Sequence, residues 1–394
     1  DAALVKYQES LTICRRLMEE LGTPESQRSV SISLDRVADI EAACGDDDDS
    51  ASTTAEGSNL SGQIAGAGAS SQAAAQEAWQ AGFQTANPDA TVSYDPVGSG
   101  GGREQFVAGG TAFGGTDAAF EGEELAGAEE RCGGADNFIE IPAYVSPIGV
   151  MYNLPGVDNL QLSPATLAAI MKGDIDTWND AKIKADNPDA DLPDSRITVV
   201  HRSDESGTTE NFQEYLSATA GDVWTYEVSG DWPVKGQEAA QGTAGVVDAI
   251  GPGEGAIGYA DLSQRGDLGV ANIKVGEEFV EPSAEAAAKI VEVSPEAEGG
   301  GQYAFTYDLE RDTTESGTYP IVLVSYMMAC TQYDDANTAE LVKGYLNYII
   351  SEDGQNAAAE NAGSAPISDT LREKIQPAID AIGAGAGSAT TTTG

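Results

Sequence analysis

Residues 201–208 read His-Arg-Ser-Asp-Glu-Ser-Gly-Thr and indicate the fold class, because they join a β-type run to a helical pattern. The apolar run Ile197–Val200 predicts a strand, and Thr208–Ser217 predicts a helix directly after the polar turn. A helix N-terminus presents unpaired N–H donors and partial positive charge, which attract an anion. Arg202 adds a planar guanidinium that suits a tetrahedral oxyanion. The stretch therefore predicts an α/β sheet with an oxyanion site where a strand ends.

Two glycine-rich segments extend this prediction. Residues 98–103 read Gly-Ser-Gly-Gly-Gly-Arg, and residues 113–117 read Phe-Gly-Gly-Thr-Asp. Asp117 is the unexpected member, since a carboxylate repels an anion unless that anion carries a proton. Phosphate near neutral pH keeps an O–H group and sulfate keeps none, so the set predicts a site for a protonated oxyanion. Phosphate is the simplest candidate, and arsenate, which carries the same proton, stays open.

Composition restricts the function further. The 394 residues suffice for two domains, and 65 acidic against 20 basic residues give a net charge of −45. Nucleic acid is excluded as a partner, because its phosphates require clustered Lys and Arg. An anion ligand is not excluded, because surface charges are screened beyond about 8–10 Å in physiological salt. A single histidine and the lack of a Cys-x-x-Cys pattern argue against a histidine triad and a structural zinc site, and we expect no cofactor.

From about residue 60, β-rich runs alternate with helical ones, which predicts α/β layers with mostly parallel sheets. The predicted strands include Thr91–Tyr94, Phe138–Asn153, Arg196–His201, Gly255–Ala260 and Tyr319–Ala329. The predicted helices include Gln72–Thr85, Pro164–Lys172, Thr208–Ser217, Ala239–Ile250, Ala336–Ile350 and Ser368–Ile379. The small and polar tail, residues 383–394, is predicted to be disordered.

The N-terminal part has a different character. Residues 1–43 predict two amphipathic helices that resemble one hairpin of a tetratricopeptide-type repeat, a leader that need not be native to the rest. Cys44 and the acidic Ser/Thr tether of residues 44–57 resemble the start of a mature bacterial lipoprotein, with Cys44 as the lipidated residue. Charges in residues 35–41 depart from a signal peptide, so an engineered fusion, a misassigned start and a natural fusion all stay open. Asp46–Asp49 lacks the spaced ligands of a calcium loop.

Five segments share small residues and turns: residues 66–70 (Gly-Ala-Gly-Ala-Ser), 98–102, 113–117, 202–208 and 255–259 (Gly-Ala-Ile-Gly-Tyr). In this order and spacing they resemble the phosphate-specific (PstS-type) binding proteins of bacterial ABC importers. The resemblance covers roughly residues 58–382 and implies a two-lobed periplasmic-binding-protein-like α/β fold of type II. It implies lobe I at 58–143 and 318–382, lobe II at 144–317, and two long crossing strands, Ile141–Asn153 and Ile321–Ala329, as the hinge.

The function implied by this resemblance is high-affinity phosphate binding in the cleft between the lobes and delivery to the membrane permease of an ABC importer. It implies an extracytoplasmic protein, periplasmic or at the cell surface, that is not an enzyme and contacts the membrane only through a lipid on Cys44. The implied phosphate ligands are Ser70, Ser71, Ser99, Asp117, Arg202, Ser206, Gly207 and Thr208, with Asp204 and Gly100 in support.

Several of these residues also fit a purely structural role that involves no ligand. Asp117 and Ser206 suit helix caps, and Arg202 with Asp204 suits a surface ion pair. Ser71 stands where the family usually has Phe, so it keeps the backbone N–H contact and lacks the aromatic wall of the pocket. We expect Arg103 to be a solvated helix residue and His201 to pack beside the strand.

Two further points stay open. Cys132 and Cys330 lie in the part that resembles an extracytoplasmic protein, where disulfides persist, and form either a bridge or two buried thiols. A phosphatase-like enzyme with Ser99 or Ser206 as nucleophile, and a surface-associated structural protein that uses the leader, are the alternative functions.

Overall fold

The computed structural model describes residues 60–297 and 299–385. The leader, the tether and Cys44 lie outside the described residues. The helices are α1 (Ala73–Ala86), α2 (Ser99–Val107), α3 (Gly122–Cys132), α4 (Pro164–Lys172), α5 (Ala181–Asp186), α6 (Gly207–Ala220), α7 (Gly242–Ile250), α8 (Ala284–Val293), α9 (Ala336–Ile350), α10 (Glu352–Ala362) and α11 (Asp369–Asp380). The strands are β1 (Ser61–Gly68), β2 (Asp89–Asp95), β3 (Phe113–Thr116), β4 (Phe138–Asn153), β5 (Gln161–Leu162), β6 (Thr198–Arg202), β7 (Glu238–Ala240), β8 (Ala256–Asp261), β9 (Gly269–Val270), β10 (Asn272–Val275), β11 (Glu278–Val280), β12 (Val322–Cys330), β13 (Gln332–Tyr333) and β14 (Gly383–Ala384).

A nine-stranded sheet in the order β2-β1-β3-β12-β4-β8-β6-β7, with β9 beside β4, organises the described residues. We call β1, β2 and β3 the first half-sheet, and β6, β7 and β8 the second half-sheet. Pairing is parallel within each half-sheet, whereas β12 and β4 run antiparallel to each other and to the half-sheet each one joins. The expectation of mostly parallel pairing is therefore wrong for the centre of the sheet. The chain crosses from one half-sheet to the other along β4 and returns along β12, so these strands point in opposite directions.

Strand β4 links the half-sheets through two successive pairings. Residues 138–147 pair with β12, and residues 148–153 pair with β8. All residues of β4 except Asn153 are buried, which is typical of a strand covered on both faces. The two long strands predicted as a hinge thus lie between the half-sheets.

The observed elements follow the predicted ones apart from differences at their ends, such as the strand predicted at Tyr319–Ala329, which begins at Val322. The predicted helix Ala239–Ile250 is wrong at its start, because Glu238–Ala240 pairs with β6 as β7 and the helix begins at Gly242, whose φ is +69°. The predicted disorder is wrong at Gly383 and Ala384, which form β14. The N–H of Gly383 donates to the carbonyl of Thr331 at 2.8 Å, a backbone contact that requires no side chain.

The end of α3 is attached covalently to β12. Cys132 and Cys330 form a disulfide with Cα atoms 5.2 Å apart. Phe106, Phe138 and Met328 are buried in the same apolar cluster, so the bridge lies in a packed region beside the first half-sheet. Each helix in the described ranges is too short or too polar to cross a lipid bilayer.

Candidate anion-binding site

Asp117 directly follows β3 and is 3% exposed. Its carboxylate accepts hydrogen bonds from three hydroxyl groups. Ser71 Oγ lies 2.7 and 2.8 Å from the two carboxylate oxygens, Thr208 Oγ1 lies 2.9 Å from Oδ2, and Ser325 Oγ lies 2.5 Å from Oδ1. Three distant parts of the chain thus meet at one carboxylate.

The plainer interpretation of Asp117 as a helix cap is wrong, because Glu121 occupies the N-cap position of α3. Burial raises the pKa of Asp117 above its ordinary value. The hydroxyl groups of Ser325 and Ser71, with that of Thr208 and the charge of Arg202, partly oppose this shift. The Asp117 carboxylate is therefore a hydrogen-bond acceptor that is shielded from solvent and surrounded by hydroxyl donors.

The N-terminus of α6 lies against this carboxylate. Ser206 is the N-cap residue, and its Oγ accepts a hydrogen bond from the N–H of Thr209 at 3.2 Å. A Cβ atom on Gly207 would stand 2.8 Å from Asp117 Cβ and from Ser99 Oγ, closer than real Cβ atoms approach. Glycine at position 207 therefore allows the helix start to reach Asp117.

Arg202, at the end of β6, is held by Asp204. Its Nε lies 2.9 Å from Oδ1 and its Nη2 lies 2.5 Å from Oδ2, a bidentate pair. The Arg202 side chain is 2% exposed, so the interpretation as a solvated surface pair is wrong. Burial opposes ionisation of Asp204, but its bonds to Arg202 and to the N–H of Gly242 outweigh burial and hold its pKa below the usual value. A Cβ on Gly98 would stand 3.4 Å from Arg202 Nη2, which places the guanidinium beside the start of α2.

Ser99 is the first residue of α2 and is 1% exposed. Its Oγ accepts a hydrogen bond from the backbone N–H of Asp117 at 3.2 Å. The preceding Gly98 has φ +101°, which lets the chain turn sharply into the helix. Ser99, Asp117 and Gly207 thus form one contact region between the starts of α2 and α6.

Two predicted residues make their contacts elsewhere. The Oγ of Ser70 lies 3.0 Å from Thr243 Oγ1 and accepts from the N–H of Thr243 at 3.1 Å, so this serine faces the start of α7. Gly100 faces Glu205, whose Oε2 would stand 1.5 Å from a Cβ at position 100. The Ser70 side chain therefore contacts Thr243 and not Asp117, and Gly100 lies against Glu205.

The model of the PBP superfamily domain matches residues 53–353 of this chain. Phosphate-binding protein PstS 3 of Mycobacterium leprae is 32% identical over 373 residues, which cover 91% of this chain and 99% of that protein. Phosphate-binding protein PstS 3 of Mycobacterium tuberculosis is 34% identical over 355 residues, which cover 87% of this chain and 95% of that protein. The chain belongs to the PstS family. The resemblance seen in the five sequence segments is thereby confirmed, and the tetratricopeptide-type resemblance of residues 1–43 stays a prediction.

Solved structures confirm the periplasmic-binding-protein-like α/β fold of this PstS chain. A high-affinity periplasmic phosphate-binding protein, solved with phosphate bound, has a TM-score of 0.65 and 23% identity, and the match covers 80% of this chain and 93% of that one. A phosphate-binding protein from Stenotrophomonas maltophilia has a TM-score of 0.62 and 17% identity, with the same coverage. At these identities the likeness shows the fold.

Two residues around the site of this PstS chain, Ser325 and Asn211, were not predicted from the sequence. Ser325 contacts Asp117 and also accepts from Gln72 Nε2 at 2.7 Å. Asn211 Nδ2 donates to the backbone carbonyls of Asp117 at 2.7 Å and Gly207 at 2.8 Å, which ties the helix start to the Asp117 turn. A signal existed only for Ser325, a polar residue within the apolar run Ile321–Ala329.

The expectation that Arg103 is solvated is wrong. Arg103 is 5% exposed and forms ion pairs with Glu124 at 2.7 Å and Glu205 at 3.0 Å. Its position on the face of α2 that packs on the sheet explains the burial. His201 is a residue of β6 and packs against Trp232, with ring centroids 5.6 Å apart. Among the residues the structure describes, no group of three or more His, Cys, Asp or Glu side chains is arranged to hold a metal ion.

Proposed function

We propose that this protein binds inorganic phosphate at Asp117 and delivers it to the permease of an ABC importer. One observation carries the proposal: a buried carboxylate lies at the N-terminus of α6, among hydroxyl and N–H donors that suit an anion. The relatives named phosphate-binding proteins and the phosphate-bound structural neighbour support the same ligand. A carboxylate in such a site selects an anion that carries its own proton.

The binding roles follow from the chemistry of each group. The hydroxyls of Ser71 and Thr208, which donate to Asp117 in this structure, and that of Ser70, which contacts Thr243, are proposed to turn toward the anion and donate to its oxygens. The hydroxyl of Ser99, the N–H groups at the starts of α2 and α6, and Arg202 complete the donor set. Ser206 and Gly207 supply helix N–H groups, Asp204 orients Arg202, and Gly100 supports the turn. Asp117 accepts the O–H of phosphate and meets only lone pairs on sulfate, and sites of this kind discriminate on the order of 10⁴-fold.

Capture of the anion fits the site better than catalysis. In the described residues, Ser206 Oγ accepts from a backbone N–H, and Ser99 Oγ accepts from the N–H of Asp117. Neither hydroxyl contacts a histidine or carboxylate side chain that would activate a nucleophile. The protein is therefore proposed to be a binding protein, with phosphate hydrolysis as the alternative that a turnover assay separates.

The domain arrangement is part of the same proposal. Lobe I (58–143 and 318–382) and lobe II (144–317) are proposed to close on the anion about β4 and β12, since donors come from both. Closure removes water from the anion, so Asp117 discriminates more strictly between anions that carry a proton and anions that do not. The family relationship supports an extracytoplasmic location, and a lipid on Cys44 is the proposed anchor.

The test is calorimetric titration of the full chain with phosphate, sulfate and arsenate, after unfolding and refolding to remove carried-over anion. We expect tight binding of phosphate and no response to sulfate. Arg202→Ala is expected to lose most of the affinity, because it removes the paired cation of the site. Equal responses to phosphate and sulfate would contradict the role of Asp117, and no response to any anion would overturn phosphate binding.

A further inference from the structure

One ion pair joins the two helix starts of the candidate site. Arg103 lies in the first turns of α2, four residues after Ser99, and its Nη2 lies 3.0 Å from Oε1 of Glu205. Glu205 lies in the turn between β6 and α6, two residues before Gly207. The pair therefore connects the helix that packs on the first half-sheet to the turn that leaves the second half-sheet.

The Glu205 carboxylate occupies a slot between two glycines. A Cβ on Gly100 would stand 1.5 Å from Oε2, and a Cβ on Gly230 would stand 2.0 Å from Oε1, so any larger residue at either position would displace the carboxylate. Oε2 is buried without a hydrogen-bond partner in the described residues. Placing a carboxylate there is unfavourable unless a strong partner compensates, and Arg103 is that partner.

Arg103 also reaches the turn that carries Asp117. Its Nη1 donates to Thr116 Oγ1 at 3.0 Å, and the hydroxyl of Thr116 donates to the carbonyl of Ala118 at 2.7 Å. Thr116 and Ala118 flank Asp117 in the chain. Arg103 thus contacts the Asp117 turn through Nη1 and Glu205 through Nη2.

Arg103 is surrounded by carboxylates, and the contact between α2 and the β6–α6 turn depends on its positive charge. Glu124 of α3 pairs with its Nε at 2.7 Å, and Glu205 and Glu210 face it from the β6–α6 side. Burial raises the pKa of Glu210 to about 7, Arg103 opposes the shift, and nearby carboxylates, including Glu205, add to it. Without Arg103, Glu124 of α3 would face Glu205 and Glu210 across this contact.

We propose that Arg103 and Glu205 are positioning residues that hold α2, the Asp117 turn and the start of α6 in the anion-binding arrangement. The inference rests on the proposed function and adds a contact that stabilises the closed arrangement without touching the anion. Because the pair forms only when α2 lies against the β6–α6 turn, its loss increases the rate at which bound anion leaves.

The test compares Glu205→Gln with Glu124→Gln in the full chain. Both substitutions remove one negative charge beside Arg103 and keep the side-chain shape, but only Glu205 belongs to the opposite side of the site. We expect Glu205→Gln to weaken phosphate binding about tenfold, mainly through faster release, and Glu124→Gln to change it less than twofold. Calorimetry gives the affinity, and stopped-flow release of phosphate gives the rate.

The outcomes separate the two proposals. If the wild-type protein binds phosphate and Glu205→Gln binds it equally well, or if both substitutions weaken it alike, the positioning role is overturned while the proposed function stands. If the wild-type protein binds no phosphate, the proposed function itself fails.

A double-mutant cycle gives a readout that simple structural damage would not produce. Arg103→Gln leaves Glu124, Glu205 and Glu210 facing one another, so adding Glu205→Gln should restore part of the lost affinity. Additive losses in the double variant would contradict the pairing. Circular dichroism and urea unfolding confirm that each variant is folded before its affinity is compared.

Discussion

At the residue scale, Asp117 and its three hydroxyl partners carry most of the proposed specificity. Asp117 was recognisable from the sequence, because an acid at the end of a glycine-rich turn is unexpected in an anion site. For Ser325 the sequence offered only a polar residue in an apolar run, because its contact with Asp117 spans 208 residues and forms only where β12 pairs with β3. Residue identity therefore indicated the acceptor, while packing determined the donors around it.

Asp117→Asn is expected to relax the rejection of sulfate and to weaken phosphate binding. An amide N–H can donate to sulfate, whereas the carboxylate meets only its lone pairs. Calorimetric titration with both anions measures the change. Asp95→Asn, an exposed position on β2, is the control with the same change in charge. Sulfate rejection that stays as strict as in the wild type would contradict the role given to Asp117.

Glu140, buried in β4, is expected to make stability depend on pH. Burial raises its pKa to about 8, although the N–H of Phe120 at 3.1 Å and the charge of Arg103 oppose the shift. The unfolded chain loses this proton near pH 4.5 and the folded protein loses it near pH 8. Between these values the folded state binds the extra proton, so the free energy of unfolding falls as pH rises, by about 1.4 kcal/mol per pH unit.

Glu140→Gln should make this slope shallower, because glutamine keeps an oxygen for the Phe120 N–H and does not titrate, while Glu210, with a pKa raised to about 7, still contributes. Urea unfolding at pH 5 and pH 8 measures the difference, with the exposed Glu104→Gln as the matched control. A variant whose stability follows the wild-type pH profile would show that Glu140 is ionised without cost in the folded protein.

At the element scale, helix starts were predicted more reliably than strand edges. The start of α6 was predicted within one residue, because Ser206 is a capping residue whose signal is local. The start of α7 was misplaced, because β7 exists only through its pairing with β6. Caps depend on neighbouring residues in the chain, whereas an edge strand depends on a distant partner.

Gly207→Ala is expected to weaken phosphate binding at least tenfold, because its Cβ would stand 2.8 Å from Asp117 and push α6 away from the site. Calorimetry measures the affinity. Gly245→Ala within α7 is the control, since its Cβ would meet nothing nearer than Ala240 Cβ at 3.6 Å. That control should keep the affinity and raise the free energy of unfolding by about 0.5–1 kcal/mol. Equal affinity in Gly207→Ala would contradict the close approach of the helix.

At the scale of the whole molecule, the net charge of −45 opposes compactness. Salt screens this repulsion, so raising NaCl from 0.1 to 1 M should raise the Tm by about 5 °C. Thermal unfolding followed by circular dichroism measures the shift. KCl at equal ionic strength should act alike, which separates screening from binding of a particular cation. A Tm independent of salt would show that the acidic side chains contribute little repulsion in the folded state.

The sequence by itself determined the α/β alternation, the two long strands, the glycine-rich turns and the two charged site residues Asp117 and Arg202. These features depend on hydrophobic periodicity, on caps and on residue chemistry, all of which act over a few neighbouring positions. The tertiary structure alone decided the antiparallel centre of the sheet, the contact of Ser325 with Asp117 and the burial of Arg103 against Glu205. Those contacts join residues that are far apart in the chain, and only the pairing of β12 with β3 and β4, and the packing of α2 against the β6–α6 turn, bring them together.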